Sequence, residues 1–269
     1  MHTEKTLKST IAAAQETTVH VPAGWPDRKL TSWFSMLEGQ AHATFVNYAD
    51  VVEPILAFEE EFSMRMPEIF HSADPSEQIA IVLFARMASG QNAAARLLFA
   101  GQLYEAQALM RSAIECGVYG CVLRHDPALR KVWARRGSSA EARAQCRRAF
   151  GWNGLMTALN ARSHNLRRLI NPVYEQLIDM GAHPNSQGIG AGIQLEKAGG
   201  GRLRLSTIFS SVEPEQFQRA VRQYLSVLHI GFELVRVAAP QRIDKSGVAV
   251  RVAEIFDGVG IPLLTPPAG

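Results

Sequence analysis

An all-α, multi-helix bundle of about six to eight helices with one small inserted β-hairpin is the fold this sequence predicts. Three observations point to it: apolar residues recur at three- and four-residue steps along most of the chain, the breaks between these stretches are short, and strict apolar–polar alternation is confined to residues 187–211. No polar linker divides the chain. Residues 28–257 are therefore expected to form one bundle domain, with a loosely docked arm over residues 1–27 and a flexible Pro- and Gly-rich tail over 258–269.

The arm holds a short polar helix candidate followed by Pro22, Gly24 and Pro26. From Arg28 to about Glu61, Leu30, Trp33, Phe34, Leu37, Ala41, Phe45 and Tyr48 fall at helical spacing. Pro54 is expected to kink or divide this element and Pro67 to end it, while Glu59, Glu60 and Glu61 form a solvated acidic face. Asp74-Pro75-Ser76-Glu77 has the grammar of a helix start: an N-cap residue, proline in the first turn and an acid near the positive end of the dipole. That helix continues through Ile79, Leu83, Phe84, Met87, Ala94, Leu97 and Leu98. Ala100-Gly101-Gln102 is a short turn that favours an antiparallel partner, Leu103 to Leu123, whose stripe is Leu103, Ala106, Met110, Ala113, Gly117 and Cys121.

His125-Asp126-Pro127 stops this helix, Gly137-Ser138-Ser139 separates two further helical stretches, and another helix is expected from Leu166 or Pro172 to Met180. Gly199-Gly200-Gly201 centres the alternating segment, which reads as a hairpin or flap. A long helix then starts near Val212 with the stripe Phe217, Val221, Tyr224, Leu228, Phe232 and Val235, and a short one covers 248–256.

With 47% hydrophobic and 20% charged residues, the chain can bury a real core. The longest apolar run, Ile79 to Ala85, is far short of the roughly 18 to 20 residues that span a bilayer, and the N-terminus lacks a signal-peptide core. A cytoplasmic location without a membrane partner is expected. Cys116, Cys121 and Cys146 show neither CxxC nor Cys/His metal spacing, so reduced thiols and no metal or cofactor are expected. The chain has no Walker, HExxH, GxSxG or EF-hand pattern.

Net charge is only +3, yet residues 124–168 hold eleven basic residues against two acidic ones, +9 for that segment and −6 for the remainder. Arg135, Arg136, Arg147, Arg148, Arg167 and Arg168 lie there among Trp133, Phe150 and Trp152. Arginines hold phosphates and aromatics stack bases, the composition of an RNA or single-strand contact surface. The same arginines could instead cover an acidic protein face, such as the one at Glu59 to Glu61, or that of a second copy in a homo-oligomer.

The stretch ARLLFAGQLYEAQALMRSAIECGVYGCVLRHDP, residues 95–127, resembles a family of bacterial proteins related to HEPN domains. Its motif runs Gly, Glu-Ala, then Leu-x-Arg-Ser-x-x-Glu, followed by a tyrosine helix ending in His-Pro, here Tyr174, Leu177, His183 and Pro184. The resemblance covers roughly residues 75–190 and implies an all-helical protein of stress or phage defence, with metal-independent ribonuclease activity in some relatives. Those nucleases resemble one another in an Arg-x4-6-His motif on a helix, where arginine holds a phosphate and histidine moves a proton.

Two matches to that spacing occur, Arg65 to His71 and Arg222 to His229, about the number that chance supplies with eight histidines. Neither contains His183, the histidine to which the resemblance points. The candidate catalytic residues are therefore His183 or His229 as proton donor and Arg111 or Arg222 as phosphate ligand, with Glu115 and Asp179 beside them. Arg111 and Glu115 are four apart on one helix face, either a structural ion pair or polar members of an interhelical pocket. Asp179 and His183 have the same spacing at a helix end, where a carboxylate and the dipole would favour the imidazolium, as a catalytic pair or as a plain cap. Two further expectations stand beside RNA binding and cleavage: a non-catalytic binding or assembly module, and a small-molecule sensor with its pocket between helices.

Overall fold

The computed structural model describes residues 28–71, 77–182 and 214–260, and the backbone of two strands at 193–198 and 202–207. The chain divides into two units, residues 1–38 and 39–269. In the first, Thr31 Oγ1 donates to the carbonyl of Arg28 at 2.8 Å and Ser35 Oγ to that of Thr31 at 3.2 Å, while the Trp33 and Phe34 rings lie 5.8 Å apart. These residues open helix α1 (Lys29–Asn47).

Tyr48 breaks the helical path with φ −130° and ψ 38° before α2 (Ala49–Phe58). The break precedes Pro54, which sits inside α2, where a proline removes a single i→i−4 bond. A π-helical turn, Glu59–Ser63, then leads to α3 (Met66–Ile69). Pro67 was expected to end a helix and instead lies in the first turn of α3, where its missing N–H has no partner to lose. The acidic face is partly engaged: Glu59 accepts from Asn92 Nδ2 at 2.7 Å, and Glu61 pairs with Arg65 at 3.7 Å.

The centre of the second unit is built from α4 (Gln78–Phe99), α5 (Leu103–His125) and α10 (Pro214–Ala238). The expected cap Asp74-Pro75-Ser76 lies outside the described residues, and Glu77 makes no side-chain cap bond. At the α4–α5 turn, Gln102 N–H donates to Leu97 O at 2.8 Å and Gly101 N–H to Leu98 O at 3.0 Å. This is a Schellman closure that needs φ +76° at Gly101, a conformation glycine adopts without cost.

Helix α5 is buried on more than one side, through Ala106, Met110, Ala113, Ile114, Gly117, Val118, Gly120 and Cys121. Its glycines let the neighbours touch its backbone. A Cβ on Gly117 would stand 2.6 Å from Met87 Sδ and 2.8 Å from Leu234 Cδ1, and one on Gly120 would stand 2.8 Å from the Phe84 ring. All six stripe residues of α10, Phe217, Val221, Tyr224, Leu228, Phe232 and Val235, are buried, and Tyr224 Oη donates to Gln91 O at 2.9 Å.

After α5 come α6 (Pro127–Ala134), α7 (Ala140–Ala149), α8 (Trp152–Asn160) and α9 (His164–Leu177). Asp126 caps α6, its Oδ1 accepting from Ala128 and Leu129 N–H at 2.9 Å each, and Ser139 caps α7 through Ala142 N–H at 3.1 Å. Helix α9 starts after the cap Ser163 and runs through Pro172, so proline neither starts nor stops it. A π-helical turn, Ile178–Ala182, follows. Strands β1 (Ile193–Ala198) and β2 (Arg202–Thr207) pair antiparallel, with Ile193 opposite Thr207 and Ala198 opposite Arg202. Helices α11 (Pro240–Ser246) and α12 (Val248–Gly258) complete a predominantly helical chain with more helices than six to eight. Among the described residues no helix is long and apolar enough to cross a membrane.

Candidate functional site

Arg111 and Glu115 meet as their spacing on α5 predicts, Arg111 Nε donating to Glu115 Oε1 at 2.9 Å. Tyr174 of α9 closes the group: its hydroxyl donates to Glu115 Oε1 at 2.7 Å and accepts from Arg111 Nε at 3.1 Å. Trp152 stacks on the Tyr174 ring at 3.7 Å and 13°, and the guanidinium lies 5.3 Å from the ring centre. Burial first, and then the bond to Glu115, push the Tyr174 phenol up to about 12, with the bond to Arg111 opposing them. Burial works against the Arg111 cation, but Tyr174 and Glu115 outweigh it and raise its pKa. The group is mutually satisfied, a geometry suited to holding α9 against α5.

The second pair separates. Arg222 on α10 is exposed, whereas His229 is 2% exposed and turned inward. Seven residues bring the helix back to nearly the same face, but the solvent boundary falls between the two positions. His229 Nε2 lies 3.6 Å from Glu233 Oε1, and Glu233 Oε2 accepts from Arg236 Nε at 3.0 Å and Nη2 at 2.6 Å. A phosphate in solvent cannot reach this histidine in the folded chain, so the expected Arg222–His229 pairing is corrected to a buried His229–Glu233–Arg236 row. In the other spacing match, Arg65 pairs with Glu61 and Glu68, and His71 Nδ1 lies 2.7 Å from Glu68 O.

Asp179 is exposed in the turn after α9, and His183 lies outside the described residues. Gly181 in this turn has φ +141°, and a Cβ there would stand 2.7 Å from the Tyr104 ring. The helical path therefore breaks at Gly181, two residues after Asp179. Among the described residues no group of three or more His, Cys, Asp or Glu side chains could hold a metal ion.

The basic segment carries the most open chemistry. A cavity of about 460 Å³ is lined by Tyr119 of α5, Trp133 of α6, Arg136 and Gly137 of the following turn, Cys146 and Arg147 of α7, and Phe150. Tyr119 and Phe150 stack at 5.0 Å and 18°, and the Tyr119 hydroxyl donates to Phe150 O at 3.4 Å. Burial raises the Tyr119 phenol above its ordinary value, with Cys146 and Glu115 adding to this and Arg136 opposing it. Trp133 is half-buried, and Arg136 and Arg147 are exposed. Among the described residues none of Arg135, Arg136, Arg143, Arg147 and Arg148 forms an ion pair with an acid.

Of the arginines expected to contact nucleic acid, Arg136 and Arg147 thus line the cavity, Arg135 and Arg148 are their exposed neighbours, and Arg167 and Arg168 lie on α9 apart from its lining. Trp152 lines a different place, with one face taken by Tyr174. Tyr119 is the lining residue that sequence reasoning passed over; its signal was the four-residue step from Glu115 along α5. Comparison with family models, with curated proteins and with solved structures finds no match to this chain.

Proposed function

We propose that this chain is an RNA-binding helical protein whose contact surface is the basic turn and helix pair of residues 127–150. The observation that carries this is the cavity lined by Trp133, Phe150 and Tyr119 and rimmed by Arg136 and Arg147, beside further arginines without acidic partners among the described residues. Arginines that cover an acidic face would be found in ion pairs, and among the described residues these are not. Guanidinium groups free to meet phosphates supply affinity that depends on salt through counterion release. A role in stress or phage defence, as in the HEPN-like family that residues 95–127 resemble, belongs to the same proposal.

The reading favours binding without cleavage. Arg111 and Glu115 satisfy each other and Tyr174, and His229 is buried against Glu233. Neither arrangement offers a phosphate ligand beside an accessible proton donor.

Fluorescence anisotropy with a labelled RNA strand at several salt concentrations tests the proposal. If Arg135, Arg136, Arg143, Arg147 and Arg148 each meet a phosphate, the slope of log K against log salt is about −3.5, and an Arg136→Ala/Arg147→Ala variant lowers its magnitude by about 1.4. Binding with no salt dependence, or with a slope unchanged in that variant, refutes it.

A further inference from the structure

We propose that the cavity between α6 and α7 takes one unpaired nucleobase lying flat against Trp133, with its flanking phosphates held by Arg136 and Arg147. This rests on the RNA-binding reading and adds which part of the RNA enters the protein.

The lining divides into two chemistries. Inside, Trp133, the Tyr119–Phe150 stack and the buried Cys146 present apolar, polarisable surface. At the rim, Arg136 and Arg147 are exposed cations, and no acidic residue lines the space. Gly137 adds no side chain to the rim, and the space where its Cβ would stand is open. A ligand matching both parts is flat and aromatic at its centre and anionic at its edges. A nucleotide within a strand has that form: a base with a phosphate on either side.

Pairing state follows from the same geometry. A base in a duplex has both faces covered by its neighbours, so stacking on Trp133 requires a base that can splay out of the strand. Duplex RNA could reach only the arginines. Base identity is read weakly, because the lining offers few directional groups and the Tyr119 hydroxyl is already engaged with Phe150 O at 3.4 Å. Stacking alone tolerates every base and favours the larger purines. An acidic peptide would satisfy the arginines but bring nothing flat to the aromatic interior.

The experiment measures anisotropy of the full chain with three probes: a labelled single-stranded RNA of about ten purines, its perfect duplex, and polyglutamate of similar length. Circular dichroism checks that each variant is folded. The single strand is expected to bind at least about tenfold tighter than the duplex, and tighter than polyglutamate. Trp133→Ala should weaken single-strand binding about tenfold and leave the salt slope unchanged, while Trp133→Phe, which keeps a stacking ring, should stay within about threefold of the parent. The arginine double variant should keep the preference for single strands while its salt slope falls.

RNA binding with equal affinity for strand and duplex, and no effect of Trp133→Ala, overturns the base pocket and leaves the RNA-binding reading standing. Polyglutamate binding as tight as RNA overturns both and makes the surface a site for acidic protein. Failure of every RNA form to bind also overturns both.

Discussion

Replacing Glu233 by alanine should destabilise the chain strongly. Glu233 is 0% exposed, and its carboxylate accepts two bonds from Arg236, at 3.0 and 2.6 Å, with Arg236 itself only 11% exposed. Alanine removes both of these bonds while the guanidinium stays, and breaking a buried pair from one side costs about 3–5 kcal/mol. At about 2–4 °C per kcal/mol for chains of this size, the midpoint should fall by about 10 °C. Urea denaturation followed by circular dichroism reads the loss directly. Removing the guanidinium as well, in Glu233→Ala/Arg236→Ala, should recover part of it and give a coupling energy of about 2 kcal/mol. A loss below about 1 kcal/mol in the single variant, or simple additivity in the double one, would show that Glu233 does not hold Arg236 as described.

Three further outcomes follow from the same contacts. Tyr174→Phe removes a hydroxyl bonded to both Glu115 and Arg111; because Glu115 is 36% exposed and water can replace part of the bond, the loss should be about 1 kcal/mol, or about 2–4 °C in thermal melting. The pH dependence has a definite sign. The folded chain holds the Tyr174 proton up to about 12, against about 10 in the unfolded chain, so this contribution is full below pH 10 and lost as pH rises through 12. Stability measured between pH 9 and 12 should therefore fall less steeply in Tyr174→Phe than in the parent, and equal slopes would refute the assignment. Gly181→Ala combines φ +141° with a Cβ 2.7 Å from the Tyr104 ring, so it should cost at least about 1–2 kcal/mol, and Tyr104→Ala in the same chain should relieve only the steric part.

The helical framework was legible where periodicity alone decides it. The α10 stripe from Phe217 to Val235 is buried at every position because a 3.6-residue repeat leaves one face for the core. Arg111 and Glu115 were legible for the same reason, as a four-residue step on one helix. Proline was a poorer guide. Pro54 and Pro172 lie inside helices and Pro67 begins one, because the cost of a proline depends on which carbonyl loses its partner, and spacing does not reveal that.

Contacts across the chain were the least legible part. Tyr174 reaches Glu115 over a separation of 59 residues, and only the motif resemblance marked it. The arginine segment was visible as charge, but the cavity also needs Tyr119 from another helix, and no local pattern joins it to Trp133. His229 looked like a partner for Arg222 because helical spacing reports angle and says nothing about depth.

Gly117 and Gly120 let Met87, Leu234 and Phe84 press against the backbone of α5, and Tyr119 stands between them in sequence, facing the cavity. One wall of the cavity therefore belongs to a helix whose backbone is closely packed by its neighbours. Occupancy of the cavity should register as a gain in global stability close to RT ln(1 + [L]/Kd), read as a melting temperature that rises with ligand concentration, while the exchange of α5 amides slows in step with the rest of the core.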